Sequence, residues 1–134
     1  MTTKTHDKQT HGHNRRPNQH DCLRQSELLL IYFKKGTITA KLTPELLRGL
    51  VAFTTLAVGF GITEIWVTSV NEGKHRVNSA HYFGKAVDLR SHDWPDPITE
   101  GLTAAFRSRN PGYQLLWESR GTENAHLHLE FQGA

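Results

Sequence analysis

The sequence predicts an α+β domain, a small antiparallel sheet with helices packed on one face. Three observations carry this. Short runs alternating apolar and polar residues at period two recur, most clearly at 62–69 and 126–131. Two other segments, 44–58 and 97–109, place apolar residues at helical spacing behind start signals. A turn-rich stretch between the last two strand-like runs favours an antiparallel hairpin.

Leu28 to Phe33 reads as a strand, with the end of a short helix as the alternative. Lys34-Lys35-Gly36 is a turn into a second short strand, Thr37 to Leu42. Thr43-Pro44-Glu45 then starts a helix, with Thr as N-cap, Pro at the first helical position and an acid in the first turn. Leu46, Leu47, Leu50, Val51, Thr54 and Val58 follow at helical spacing, and Gly59 and Gly61 end the run. Ile62 to Ser69 is a strand, and Asn71 to Ala80 a polar loop. Ala86 to Arg90 is a short strand carrying Asp88. A second helix is expected over Pro97–Arg109, with Asp96 as N-cap and Asn110-Pro111-Gly112 as its stop. Tyr113 to Glu118 and His126 to Phe131 form the final hairpin around Ser119-Arg120-Gly121-Thr122-Glu123-Asn124.

A chain of 134 residues is one domain by size and can bury one core. Residues 1–22 carry His6, His11, His13 and His20 with almost no large apolar side chains, so they read as a flexible His-rich polar tail. The domain is expected over residues 23–134. No run of about 18 apolar residues exists, so no transmembrane helix and no membrane role are expected. The N-terminus lacks the apolar stretch of a secretory signal. Cys22 is a single cysteine and has no partner for an internal disulfide. The net charge of +3 is only mildly basic. No helix-turn-helix, zinc-finger spacing or aromatic-basic platform accompanies Lys34, Lys35, Arg15 and Arg16, so no nucleic-acid partner is expected.

The residues with the most chemical content are His81 and Asp88, and then His126-Leu127-His128. A His, a carboxylate and a second His from two segments can fill three corners of a tetrahedral zinc site, leaving the fourth for water. Imidazole and carboxylate together suit zinc better than magnesium or calcium. His-x-His on a strand puts both rings on one face. Gly84 and Ala86 are small and let the chain turn between His81 and Asp88. Metal-assisted hydrolysis is therefore the leading expectation.

Ser-x-His-x-x-Gly-x-Ala-x-Asp, here Ser79 to Asp88, followed by a late His-x-His resembles the zinc peptidases of the D-Ala-D-Ala carboxypeptidase and hedgehog type. The resemblance covers roughly residues 28 to 132, and Val67-Thr68-Ser69 and Asp88-Leu89-Arg90 look like the short phage-type members. It implies a hedgehog/DD-peptidase-like fold and a Zn2+ held by His81, Asp88 and His128. It also implies hydrolysis of a peptide bond in peptidoglycan stem peptides, as a carboxypeptidase or an L-Ala-D-Glu-type endopeptidase. A monomer is expected. It would be made in the cytoplasm and act at the cell wall after lysis, holin-type release or virion delivery.

The resemblance assigns His126 to the reacting centre, where it would steady an oxyanion. It makes Ser79 a residue that binds substrate or orients the site. Arg76 could grip a substrate carboxylate; Arg90 could too, but reads rather as a solvated surface charge. Many members carry an acid three residues before the metal His, but that position is Ala125 here. Hairpin geometry offers Glu118 instead. If Glu118 pairs directly with His126, the two share a face about 5 Å apart at Cβ, and Glu118 is a candidate general base. Glu123, in Glu123-Asn124-Ala125-His126, is the alternative base. A non-catalytic zinc-binding interaction domain of hedgehog type is the alternative function.

Overall fold

The computed structural model describes residues 29–37, 42–70 and 79–133. The 1–22 tail, the start of the expected domain, most of the expected 37–42 strand, and Arg76 lie outside the described residues. Thr37 and Leu42, the described ends of that expected strand, have no strand structure.

The described residues form five strands, two α-helices and one 3-10 turn, an α+β arrangement. The elements are β1 (Leu30–Phe33), α1 (Pro44–Gly59), β2 (Glu64–Ser69), the 3-10 turn (Ala80–Phe83), β3 (Ala86–Arg90), α2 (Asp96–Arg109), β4 (Tyr113–Glu118) and β5 (His126–Phe131). The sheet order is β1-β2-β3-β5-β4. Strands β2, β3, β5 and β4 are mutually antiparallel, but β1 runs parallel to β2. The sheet is therefore mixed, which corrects the expected all-antiparallel one. The reason is connectivity: α1 separates β1 from β2, and a helical crossover returns the chain in the same direction.

Helix α1 starts as its sequence dictates, with the Thr43 hydroxyl accepting from the Leu46 amide at 3.3 Å and Pro44 in the first turn. Helix α2 departs from expectation. Pro95 occupies the cap, no side chain caps the helix, and Asp96 is already helical. The Asp96 carboxylate instead lies 3.5 Å from Arg120 on the β4–β5 loop, still at the end of the helix where negative charge is favoured.

Strand alternation then divides the sheet. Ile65, Val67, Val87, Leu89, Leu115, Leu127 and Leu129 face one core together with Leu46, Leu50, Phe53 and Ala57 of α1 and Leu102 and Phe106 of α2. Both helices thus cover a single face. Phe53 anchors it, its ring 5.9 Å from that of Phe106 and 6.3 Å from that of Trp94. Gly49 lets α1 sit against Tyr113, since a Cβ there would fall 2.3 Å from the tyrosine ring. The intervening strand residues, Asp88, Arg90, His126, His128 and Glu130, point to the other face.

Candidate metal centre

Strands β3 and β5 pair in a register that sets Asp88 opposite His128 and Arg90 opposite His126. Two ligand candidates are therefore cross-strand neighbours on the face that, among the described residues, no helix covers, here the uncovered face. The third arrives from the 3-10 turn. The Ser79 hydroxyl accepts from the His81 amide at 3.3 Å, and Gly84 closes the turn at φ 67°, a conformation that favours glycine. The Gly84 carbonyl accepts from the Thr43 amide at 3.0 Å and the Thr43 hydroxyl at 3.2 Å, tying the turn to the start of α1. Strand β2 has a register irregularity between Val67 and Ser69, next to Ser69↔Asp88, and Val70 follows it.

His81, Asp88 and His128 converge so closely that they can hold a metal ion. His81 Nε2 lies 3.2 Å from His128 Nδ1 and 3.3 Å from Asp88 Oδ1, and His128 Nδ1 lies 3.1 Å from Asp88 Oδ1. Metal–ligand bonds of 2.0–2.1 Å in a tetrahedron require donor separations of about 3.3 Å, so the triangle fits. The outer nitrogens fix the rings. His81 Nδ1 donates to the Val70 carbonyl, and His128 Nε2 donates to Glu130 Oε2 at 2.8 Å. With those protons committed, the two inward nitrogens would, in neutral rings, present lone pairs toward each other and toward a carboxylate oxygen. Such a cluster is repulsive unless a cation sits at its centre, and outer hydrogen bonds of this kind orient metal-binding histidines.

The electrostatics of the metal-free chain agree. Burial works against a charge on His128, but hydrogen bonds to Asp88 and Glu130 and their charges lift its pKa to about 9. Burial likewise opposes the charge on Asp88, yet hydrogen bonds to His128 and His81 hold its carboxyl well below the usual range. A proton on His128 thus does the work a metal ion would do, and a metal ion bound there would have to displace it.

A second pair stands one row along the ladder. Glu118 is directly opposite His126, as the hairpin reading supposed, and Glu118 Oε2 lies 3.1 Å from His126 Nε2. His126 Nδ1 donates to the Asn124 carbonyl at 2.8 Å. His126 thus spans the loop carbonyl on one side and the Glu118 carboxylate on the other. Residues 126 and 128 are two positions apart, about 7 Å along the strand. Glu118 is on the edge strand, its side chain 47% exposed.

Ser79 is placed to hold the turn that presents His81. Glu123 is exposed on the β4–β5 loop, yet it lines a cleft shared with Asp88 and His126. Glu130 was missed by sequence reasoning. The signal was there: in His126-Leu127-His128-Leu129-Glu130 the period-two alternation puts the glutamate on the face of both histidines. The Val70 carbonyl was missed too, and a backbone acceptor leaves no mark in the sequence. Among the described residues no helix is long and apolar enough to cross a membrane. No protein-family model, curated protein or solved structure matches this chain.

Proposed function

We propose that this chain is a zinc-dependent peptidase that hydrolyses a peptide bond in peptidoglycan stem peptides, with His81, Asp88 and His128 as the metal ligands. The observation that carries the proposal is the convergence of three donor atoms at 3.1–3.3 Å, both rings locked from outside, beside an open cleft. Two imidazoles and one carboxylate suit zinc and leave a coordination position open. Bound zinc supplies a Lewis acid and a water acidified to a pKa of about 7. The Ser79-to-Asp88 motif and the late His-x-His resemble the D-Ala-D-Ala carboxypeptidase and hedgehog-type peptidases, which gives the substrate class. Phage-type members of that kind reach the wall by lysis, holin-type release or virion delivery.

The residues around the ligands handle the proton. Hydrolysis adds hydroxyl to the acyl carbon and a proton to the departing amine. Glu118 accepts the proton that water gives up and returns it to the amine, and the oxyanion role of His126 requires its Nε2 to turn from Glu118 toward the substrate. Glu123 reaches the same cleft from the loop and is the competing base. A non-catalytic zinc-binding domain of hedgehog type is the second reading. It is favoured by the exposure of Glu118 on an edge strand, its carboxylate engaged with His126.

The test is metal content and wall hydrolysis on one preparation. The purified chain should hold about one zinc, lose it in His81→Ala and Asp88→Ala, and release new peptide termini from peptidoglycan, identified by mass spectrometry. Chelator should stop that release. Full zinc retention in both variants would remove the metal centre. Zinc binding with no released termini would leave the non-catalytic domain.

A further inference from the structure

The uncovered face carries a second organised group beside the metal centre. One residue from every strand lines up across the sheet: Tyr32 opposite Trp66, then Arg90 opposite His126, and His126 opposite Glu118. Continuing the Val67↔Leu89 register sets Trp66 opposite Arg90. The rings of Tyr32 and Trp66 stack at 4.6 Å and 16°, and the Arg90 guanidinium lies 5.0 Å from the Trp66 ring centre. Because β2 lies between β1 and β3, the indole is flanked by the tyrosine on one side and the guanidinium on the other. The indole faces are covered, so the stack is no platform for bases or sugars. Its effect is to hold Arg90.

Arg90 is held by the stack, and its ion pair with Asp93 is with a half-exposed carboxylate. Among the described residues its buried Nε has no hydrogen-bond partner, and its Nη2 pairs with Asp93 at 3.4 Å on the exposed rim. Arg90 and Lys34 line the same cleft of about 460 Å3 as Asp88, His126 and Glu123. A guanidinium stacked in advance has less rotamer freedom to lose when it binds an anion. Its planar fork matches a carboxylate.

The ladder sets the reach. Arg90 is two residues from Asp88, about 7 Å along the strand, and two residues of extended peptide span at most about 7 Å. We infer that Arg90 and Lys34 form an anion subsite that receives a substrate carboxylate within two residues of the scissile bond, with Trp66 positioning Arg90. The inference rests on the peptidase reading for its scissile bond, while the anion subsite itself does not. The carboxylate has two possible sources, the C-terminus of the peptide or an acidic side group beside the bond.

Binding to the zinc-loaded full chain tests this, by calorimetry with two matched pairs. One pair is N-acetyl-D-alanyl-D-alanine and its C-terminal amide. The other is an amidated peptide bearing a glutamate side chain and its glutamine counterpart. In at least one pair the acid should bind roughly 10- to 100-fold more tightly than its neutral partner, and that pair identifies the source. Arg90→Met should reduce the ratio to about threefold or less with zinc content unchanged. Any direct zinc–carboxylate contact is common to both proteins, so the change in ratio reports on Arg90. Trp66→Leu should fall between the two, and Trp66→Phe should restore the ratio. Equal binding within both pairs by the wild type, or an undiminished ratio in Arg90→Met, overturns the subsite. Hydrolysis of the same peptides is followed separately. Acid preference without cleavage removes the peptidase reading and leaves the subsite, whereas cleavage with equal kcat/KM within both pairs does the reverse.

Discussion

The two faces of the sheet are built from the same strands and differ in almost everything else. On the helix-covered face Val67, Val87, Leu89, Leu127 and Leu129 are wholly buried. On the uncovered face their immediate neighbours are Asp88, Arg90, His126, His128 and Glu130, partly exposed. Period-two geometry lets one strand serve both, since each residue that builds the core fixes the position of a polar one on the opposite face. Rigid strands also hold such groups more closely than loops do. The comparison teaches a division: the apolar core lies on one face and the candidate metal site on the other.

The strongest way to break that comparison is to damage the covered face. Phe53 is 0% exposed and touches both Phe106 and Trp94. Phe53→Ala should cost about 3–5 kcal/mol, enough to endanger a small domain. His126→Gln on the uncovered face should change stability by about 0.5 kcal/mol or less. Urea unfolding of both variants measures this, and similar losses in the two would erase the distinction between the faces.

A second test works on the uncovered face alone and sharpens the contrast between ladder and loop. Glu118 is held by strand pairing and by His126, whereas Glu123 projects from the loop. Glu118→Gln should keep the fold and the metal but lower hydrolysis by about 10²–10⁴-fold. Glu123→Gln should be nearly silent. The opposite ranking in steady-state rates on peptidoglycan fragments would transfer the base to the loop.

The same contrast explains what could be read from the sequence. The α1 cap, the final hairpin and the Glu118–His126 pairing were legible because each rests on contacts close along the chain. The two motifs also marked His81, Asp88 and His128 before the ladder brought Asp88 opposite His128. The direction of β1 was not legible, since it depends on the α1 crossover and not on the strand's own residues. The α2 cap misled because Asp96, a good capping residue, is drawn to Arg120, 24 positions away. Arg90 read as a surface charge for a similar reason. What distinguishes it is the Trp66 indole on a neighbouring strand, and no local pattern records that. Arg76, the other carboxylate candidate, lies outside the described residues.

The smallest expected effect concerns the metal-free site and has a definite sign. The His128 pKa rises from 6.5 to about 9 on folding. The stabilisation this gives is complete below 6.5 and is lost as pH climbs through about 9. Asp88 is shifted the other way, down from 3.8, so its contribution is present above 3.8 and disappears as pH falls further. With chelator present, the pair should therefore support the fold best between 3.8 and 6.5. Zinc reverses the upper limb. Its binding displaces the His128 proton, so its affinity, and with it the stability of the loaded chain, should grow as pH rises toward 9. Urea midpoints at pH 5, 7 and 9, with chelator and with one equivalent of zinc, should diverge as pH increases. Glu130→Leu removes one of the two hydrogen bonds that raise the His128 pKa and should start the metal-free decline at lower pH. A metal-free midpoint that climbs steadily from pH 5 to 9 would mean that His128 is not held as a cation beside Asp88. The case for a proton standing where the metal would sit would then fail.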